Sequence, residues 1–195
     1  MIGKSFNQID KVELEGLVAN SVAESRMLEY KEALPSSSDS DKREFLADVS
    51  SFANASGGDL IYGVKEKRDA DNKPTGMPEA VCGLSGINQD QEIQRLENLI
   101  RDGLDPRISG IQIRSLDGFP QGPVILIRIP KSWASPHMIK ASAKFYSRNS
   151  SGKYPLDVRE IRSAFLMSES LAEKIRRFRD DRLAKIIADE TPLPL

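Results

Sequence analysis

Helical and strand periods succeed one another along this chain of 195 residues, and each change of period marks an element. Val12, Leu14, Leu17 and Val18 recur at helical spacing behind Asp10, which suits an N-cap, and this predicts a short helix ending near Asn20. In LEYK the period falls to two. Leu28 and Tyr30 share one face of a predicted strand, while Glu29 and Lys31 share the other and place an acid beside a base. Pro35 and the run SSSDSD break that strand, and Asp39 or Ser40 caps a helix whose buried stripe is Phe45, Val49, Phe52 and Ala53. Gly57 and Gly58 then turn the chain sharply into a strand, in which Leu60, Tyr62 and Val64 alternate with Ile61, Gly63 and Lys65.

The polar stretch Lys65 to Glu79, with Pro74, Gly76 and Pro78, is predicted to be a surface loop, and the apolar pattern resumes at Val81 to Leu84. A helix begins at Asp90, turns Ile93, Leu96 and Ile100 inward and stops at Gly103. Ile108, Ile111 and Ile113 form a strand, and VILIRIP forms another. The short connection DGFPQGP makes the two an antiparallel hairpin. After the irregular Pro130 to Pro136 comes a strand, Lys144 to Arg148. Asp157 with Glu160 then forms a capping box for a helix over Val158 to Met167. A separate charged helix is predicted over Glu169 to Ala188, with Leu171, Ile175, Phe178, Leu183, Ile186 and Ile187 as its apolar stripe; TPLPL reads as a linker to a further C-terminal domain.

Composition narrows the chemistry. Cys82 and His137 are the single cysteine and single histidine, so an internal disulfide and thiolate or histidine zinc sites are poor candidates, and a metal would sit on carboxylates. No apolar run approaches the roughly 20 residues that span a bilayer, and the N-terminus lacks signal-peptide features, which makes the expected location cytoplasmic with no membrane partner. With 28 Lys and Arg against 29 Asp and Glu, the chain has no global basic signature. Charge is unevenly placed, however: Lys140, Lys144, Arg148 and Lys153 lie in a stretch without acids, whereas Glu66 to Asp102 is rich in them.

Glu24-Ser25 with LEYK, then FANASGGDLIYGV, Gly83 after a polar stretch, SPH at Ser135 to His137, and FYSRNSSGKYP together resemble the AlbA-like domain of the Schlafen family, over about Ala23 to Met167. That domain is widespread in prokaryotes and is often described as DNA-binding or as a divergent AAA-type protein. Animal Schlafen proteins that act as endoribonucleases on structured RNA such as tRNA use three carboxylates. The resemblance implies that these are Glu24 and Glu29, from an ExxxxE pattern, and Glu66 after the GG strand. The family has aspartate at the third position, so Asp69 or Asp71 could serve instead of Glu66. The same three would hold Mg²⁺ or Mn²⁺, since converging carboxylates repel one another unless a cation holds them. Lys31 would contact phosphate or neutralise Glu29.

Binding without cleavage is the other reading. In it Lys31, Lys140, Lys144, Arg148 and Lys153 line a groove, and Tyr146 shares a strand face with Lys144 and Arg148. Against it stands a packing reading, with Phe145 and Tyr146 in the core and Arg148 paired with an acid. GDLIYGVK lacks the GK pair of a P-loop, and Gly3-Lys4-Ser5 lacks the upstream glycine, so ATP hydrolysis is not expected. His137 is expected to be a hydrogen-bonded structural residue, with a groove-facing position as the alternative.

The expected architecture is α+β: a mixed, largely antiparallel sheet with helices packed on it, followed by an amphipathic C-terminal helix. Residues 1–22 are read as a lead-in, 23–168 as the AlbA-like domain and 169–195 as the final helix and tail. The resemblance implies a nucleic-acid-binding protein of the Schlafen type, acting as a metal-dependent endoribonuclease on tRNA-like RNA in bacterial regulation or antiviral defence. The alternative is a non-catalytic DNA-binding or recruiting module of a longer regulator. Animal Schlafen cores clamp RNA between two halves, and one half alone would complete the clamp as a homodimer, through the stripe of the last helix.

Overall fold

A computed structural model describes residues 1–187. The chain divides into two compact units, Met1–Leu156 and Asp157–Leu195.

The first unit is α+β. Its central sheet has the order β1 (Leu28–Lys31), β2 (Gly58–Tyr62), β7 (Gly122–Ile129), β6 (Gln112–Phe119), with β1 parallel to β2 and the other pairs antiparallel. The parallel pair needs a crossover. It is supplied by α2 (Asp39–Asn54), which Ser38 caps by accepting the Asp41 N–H, one residue before the expected Asp39 or Ser40. Both sheet faces are covered, which explains the near-continuous apolar runs of β2 and β7. Leu60, Tyr62, Ile125, Ile127 and Ile129 pack on Phe45, Val49 and Phe52 of α2 and on Leu96 and Ile100 of α3 (Gln89–Gly103). On the opposite face Leu28, Tyr30, Ile61, Val124 and Leu126 meet Ile2, Phe6, Ile9 and Leu14. Residues 1–22, including α1 (Lys11–Ala19) with its Asp10 cap, thus contribute Ile2, Phe6, Ile9 and Leu14 to this core.

A second sheet, β10 (Gly152–Pro155), β9 (Lys144–Asn149), β8 (Met138–Ile139), β5 (Leu104–Asp105), is antiparallel throughout. β10 is an element that the periodicity did not single out, being only GKYP in sequence. Lys65 to Glu79 is not a loop. β3 (Val64–Arg68) and β4 (Pro74–Val81) form an antiparallel hairpin whose register shifts between Lys65 and Glu66 and again between Glu66 and Arg68, so its prolines fit where the ladder is irregular. Ile108 and Ile111 lie outside β6, which starts at Gln112.

The double glycine has a steric cause. Gly57 has φ +72°, and a Cβ there would lie 2.7 Å from the Lys131 nitrogen; at Gly58 it would lie 2.3 Å from the Phe52 ring and 2.8 Å from the Met27 carbonyl oxygen. The corner thus lets the end of α2, the entry to β1 and the exit of β7 approach one another.

In the second unit, Asp157 and Glu160 form the expected capping box, with Glu160 N–H donating to Asp157 at 2.7 Å and Asp157 N–H to Glu160 at 2.9 Å. The helix they open, α4 (Val158–Ile187), runs without the break expected after Met167, which moves the unit boundary from 169 to 157. Ile175, Phe178, Leu183, Ile186 and Ile187 are exposed on it. The Leu171 side chain, Ala188 and the TPLPL segment lie outside the described residues. Among the described residues no helix is long and apolar enough to cross a membrane.

Candidate functional site

β1 is an edge strand with two unlike faces. Leu28 and Tyr30 enter the N-terminal core, so Glu29 and Lys31 must face α2. There they meet Asp48, which is 1 % exposed within the apolar stripe of α2, and Arg148 and Lys153 arriving from β9 and β10. Glu29 pairs with Arg148 and, at 2.6 Å, with Lys31. Asp48 lies 2.7 Å from Lys153, 3.7 Å from Lys31 and 3.9 Å from Arg148. Lys153 also pairs with Glu44. The Arg148 guanidinium sits over the Phe52 ring, 4.0 Å from its centroid.

Electrostatics follow from this crowding. Burial opposes ionisation of Glu29, but Lys31 and Arg148 outweigh it and hold the carboxyl below its ordinary value. Asp48 is pushed up to about 6, by burial first and by the Glu29 charge second. For Lys31, burial works against the ammonium, yet Asp48 and Glu29 raise it above an ordinary lysine.

Above this buried network opens a cleft of about 320 Å³, walled by Glu24, Ser25 and Gly76 on one side and by Ser150, Ser151 and Gly152 of the β9–β10 turn on the other, with Glu29, Arg148 and Lys153 also lining it. Glu24 is positioned by backbone: its N–H donates to the Gly76 carbonyl at 2.7 Å, and its carboxylate accepts the Tyr30 N–H at 2.7 Å. Its pKa is raised to about 7, chiefly by burial and further by Glu29 and Glu66, against the Tyr30 hydrogen bond and Lys31. Glu66, on β3, accepts the Gly76 N–H at 3.1 Å. Asp69 is spent inside the β3–β4 turn, accepting the Asp71 and Lys73 N–H groups at 2.9 Å each, and Asp71 is exposed.

Glu24 thus lies close enough to Glu29 and Glu66 to feel both charges, but Glu29 is saturated by two cations. Among the described residues no group of three or more His, Cys, Asp or Glu side chains is placed to hold a metal ion. The carboxylates as arranged do not fit Mg²⁺ or Mn²⁺. The basic stripe of β9 is also altered from expectation: Arg148 is 3 % exposed and paired, and Tyr146 packs against the α2 core, because the 146 and 148 positions of β9 look onto α2. Lys140 and Lys144 remain exposed, Lys153 reaches the cleft only as a partner of acids, and Lys31, paired with Glu29, is not part of its lining.

His137 is structural. It is fully buried, and its Nδ1–H donates to the Pro106 carbonyl at 2.6 Å, which leaves Nε2 unpartnered; burial lowers its pKa. Its backbone N–H donates to Asn54 at 2.7 Å, and the Asn54 amide donates to the Tyr146 carbonyl at 2.8 Å, so Asn54 ties the end of α2 to the second sheet.

Sequence reasoning missed Asp48, Asp59 and Asn54. Asp48 stood three residues after Phe45 and four before Phe52, inside the apolar stripe, and that position was a readable signal. Asp59 and Arg128 were likewise lone charges in apolar strands. They are direct cross-strand neighbours joined by bonds of 2.8 and 3.0 Å, and Asp59 also accepts the Ile2 N–H at 2.6 Å.

A family model described as Schlafen, AlbA_2 matches residues 24–157. No curated protein matches the chain. Among solved structures, the N-terminal domain of a RecG-related protein from Nitrosomonas europaea is similar in fold, at 20 % identity and a TM-score of 0.52, over 70 % of this chain and 84 % of that one. The DIP2311 protein from Corynebacterium diphtheriae matches at 18 % identity and a TM-score of 0.47, over 75 % of this chain but only 26 % of its own.

Proposed function

The chain belongs to the Schlafen AlbA_2 family, a membership that supports a nucleic-acid-related function, and from that premise we propose that it binds nucleic-acid backbone at the cleft between Glu24 and the β9–β10 turn. One observation carries this reading: Ser150 and Ser151, whose side chains are hydroxyls, line the cleft with Gly152 beside Lys153, whose outer partner Glu44 is exposed and exchangeable for a phosphate. Lys140 and Lys144, exposed elsewhere on the first unit, are further candidate backbone contacts. Contacts of this kind are sequence-tolerant and salt-dependent.

The test is retention of labelled tRNA, single-stranded DNA and duplex DNA across a salt series. Affinity is expected to fall steeply with salt and to weaken in Lys140→Ala and Lys144→Ala; no retention at low salt would defeat the reading.

A second reading, endoribonuclease action on structured RNA such as tRNA, is favoured by Glu24. A carboxyl near pH 7 can accept a proton from a ribose 2′-hydroxyl, which then attacks the adjacent phosphorus as the 5′-oxygen departs and takes a proton from water. Product analysis of tRNA incubated with Mn²⁺ or with EDTA tests it. Cleavage lost in Glu24→Gln supports it, and intact RNA bound by the wild type returns the first reading, a binding or recruiting module. Cleavage that appears only with Mn²⁺ would mean that the Glu29 ion pairs open to admit a metal.

Homodimer formation through the exposed stripe of α4 belongs to the same proposal. Sedimentation at high protein concentration tests it, and a monomer there would count against it.

A further inference from the structure

Trp133, the single tryptophan, is 72 % exposed, in a segment between β7 and β8 that the cleft does not use. Such a side chain buries readily in a core, and here the chain holds it outward. The segment is pinned rather than loose. The Ser132 N–H donates to the Ala53 carbonyl at 3.0 Å, the Lys131 ammonium to the Asn54 carbonyl at 3.0 Å, and the Ala134 N–H to the Ser132 hydroxyl at 3.2 Å.

Two cations lie at the same corner: Lys131, two residues before Trp133 in the chain, and Arg26, close enough to act on Lys131. The double glycine admits the Lys131 backbone against Gly57 and the Met27 carbonyl against Gly58, which brings Arg26 and Lys131 to the same corner. Partial burial lowers the Lys131 pKa and the Arg26 charge lowers it further, with no carboxylate opposing them, and among the described residues neither cation has an ion pair. Arg26 follows Ser25, a wall residue of the cleft. An aromatic plane held on a rigid backbone next to two uncompensated cations matches an unpaired base and the phosphates that flank it. A duplex offers no free base face at this height, and an apolar partner would leave both cations unpaired.

We infer that Trp133 is a stacking platform for an unpaired nucleobase, with Arg26 and Lys131 on the adjoining phosphates, so that the ligand of this protein includes a single-stranded segment leading to the cleft. This rests on the proposed nucleic-acid binding and specifies its substrate class.

Because Trp133 is the single tryptophan, its emission reports on the platform directly. Wild type and Trp133→Ala are titrated at low salt with oligothymidylate and with a duplex of equal length, following both fluorescence and retention of labelled strand. Expected are quenching by the single strand but not by the duplex, and single-strand affinity about tenfold lower in Trp133→Ala, largely restored in Trp133→Phe. Single strand retained with unchanged emission and equal affinity in Trp133→Ala overturns the platform and leaves the cleft reading standing. No retention of either ligand by the wild type removes both.

Discussion

Glu29 and Arg148 come from opposite ends of the first unit and meet as a buried ion pair, with the arginine plane resting on Phe52. Each charge is nearly buried and has one further charged partner, Lys31 for Glu29 and Asp48 for Arg148, so the pair is the centre of a network rather than isolated. Removing one partner of a buried pair costs up to about 3–5 kcal/mol when the remaining charge is left unpaired, and Lys31, which stays on Glu29, places this pair toward the lower end of that range. Arg148→Ala is expected to destabilise by that order in urea unfolding, and the double variant Arg148→Met with Glu29→Gln by clearly less. Additive losses would show that the pair is not coupled.

The same relationship decides how the site should be probed. Glu29→Ala leaves Arg148 with only the longer Asp48 ion pair and is expected to lower the unfolding midpoint before any function is measured. Glu24→Gln, whose carbonyl oxygen can still accept the Tyr30 N–H, is expected to leave the midpoint within a few degrees. Circular dichroism melts of the two variants make the comparison.

Glu24 is expected to make stability, and the proposed binding, weaken as pH rises. Its folded pKa of about 7 lies above its ordinary 4.5, so the folded state holds the proton more tightly and this contribution declines as pH rises from 4.5 through 7. After discounting for solvent at the carboxyl, roughly 2 kcal/mol is involved. Asp48, raised to about 6, acts in the same sense, whereas the lowered His137 acts oppositely below its ordinary 6.5. The wild type compared with Glu24→Gln isolates the first group. Retention of polyanion is expected to strengthen from pH 8 to pH 6 in the wild type and to change less in the variant.

The glycines at the corner, of which Gly57 has positive φ, are held by contacts that Gly86 lacks. Gly57→Ala and Gly58→Ala are expected to cost about 2–3 kcal/mol or more, since a Cβ meets backbone at 2.7 Å in the first and a packed ring at 2.3 Å in the second. Gly86→Ala also has positive φ, +69°, but faces open space, so about 1 kcal/mol is expected. Chemical denaturation of the three variants checks the order.

The sequence by itself determined what depends on neighbours along the chain. Alternation in LEYK placed Glu29 and Lys31 on one face, Asp10 and the Asp157–Glu160 pair announced helix starts, and the order of motifs carried the family resemblance. Periodicity failed where pairing across space overrides local pattern. The prolines of Lys65 to Glu79 read as a loop because bulges that accommodate them are visible only once β3 and β4 are side by side. Tertiary structure alone decided the state of the charges. Arg148 and Lys153 read as a free basic stripe, and Asp48 as one acid among many, until α2 was laid across β9 and β10. Burial there makes each charge costly unless paired, and pairing turns the stripe into the floor of a cleft. The double glycine spans both levels: its turn was legible in two adjacent letters, but what it brings together, Lys131, Met27 and the end of α2, exists only in three dimensions.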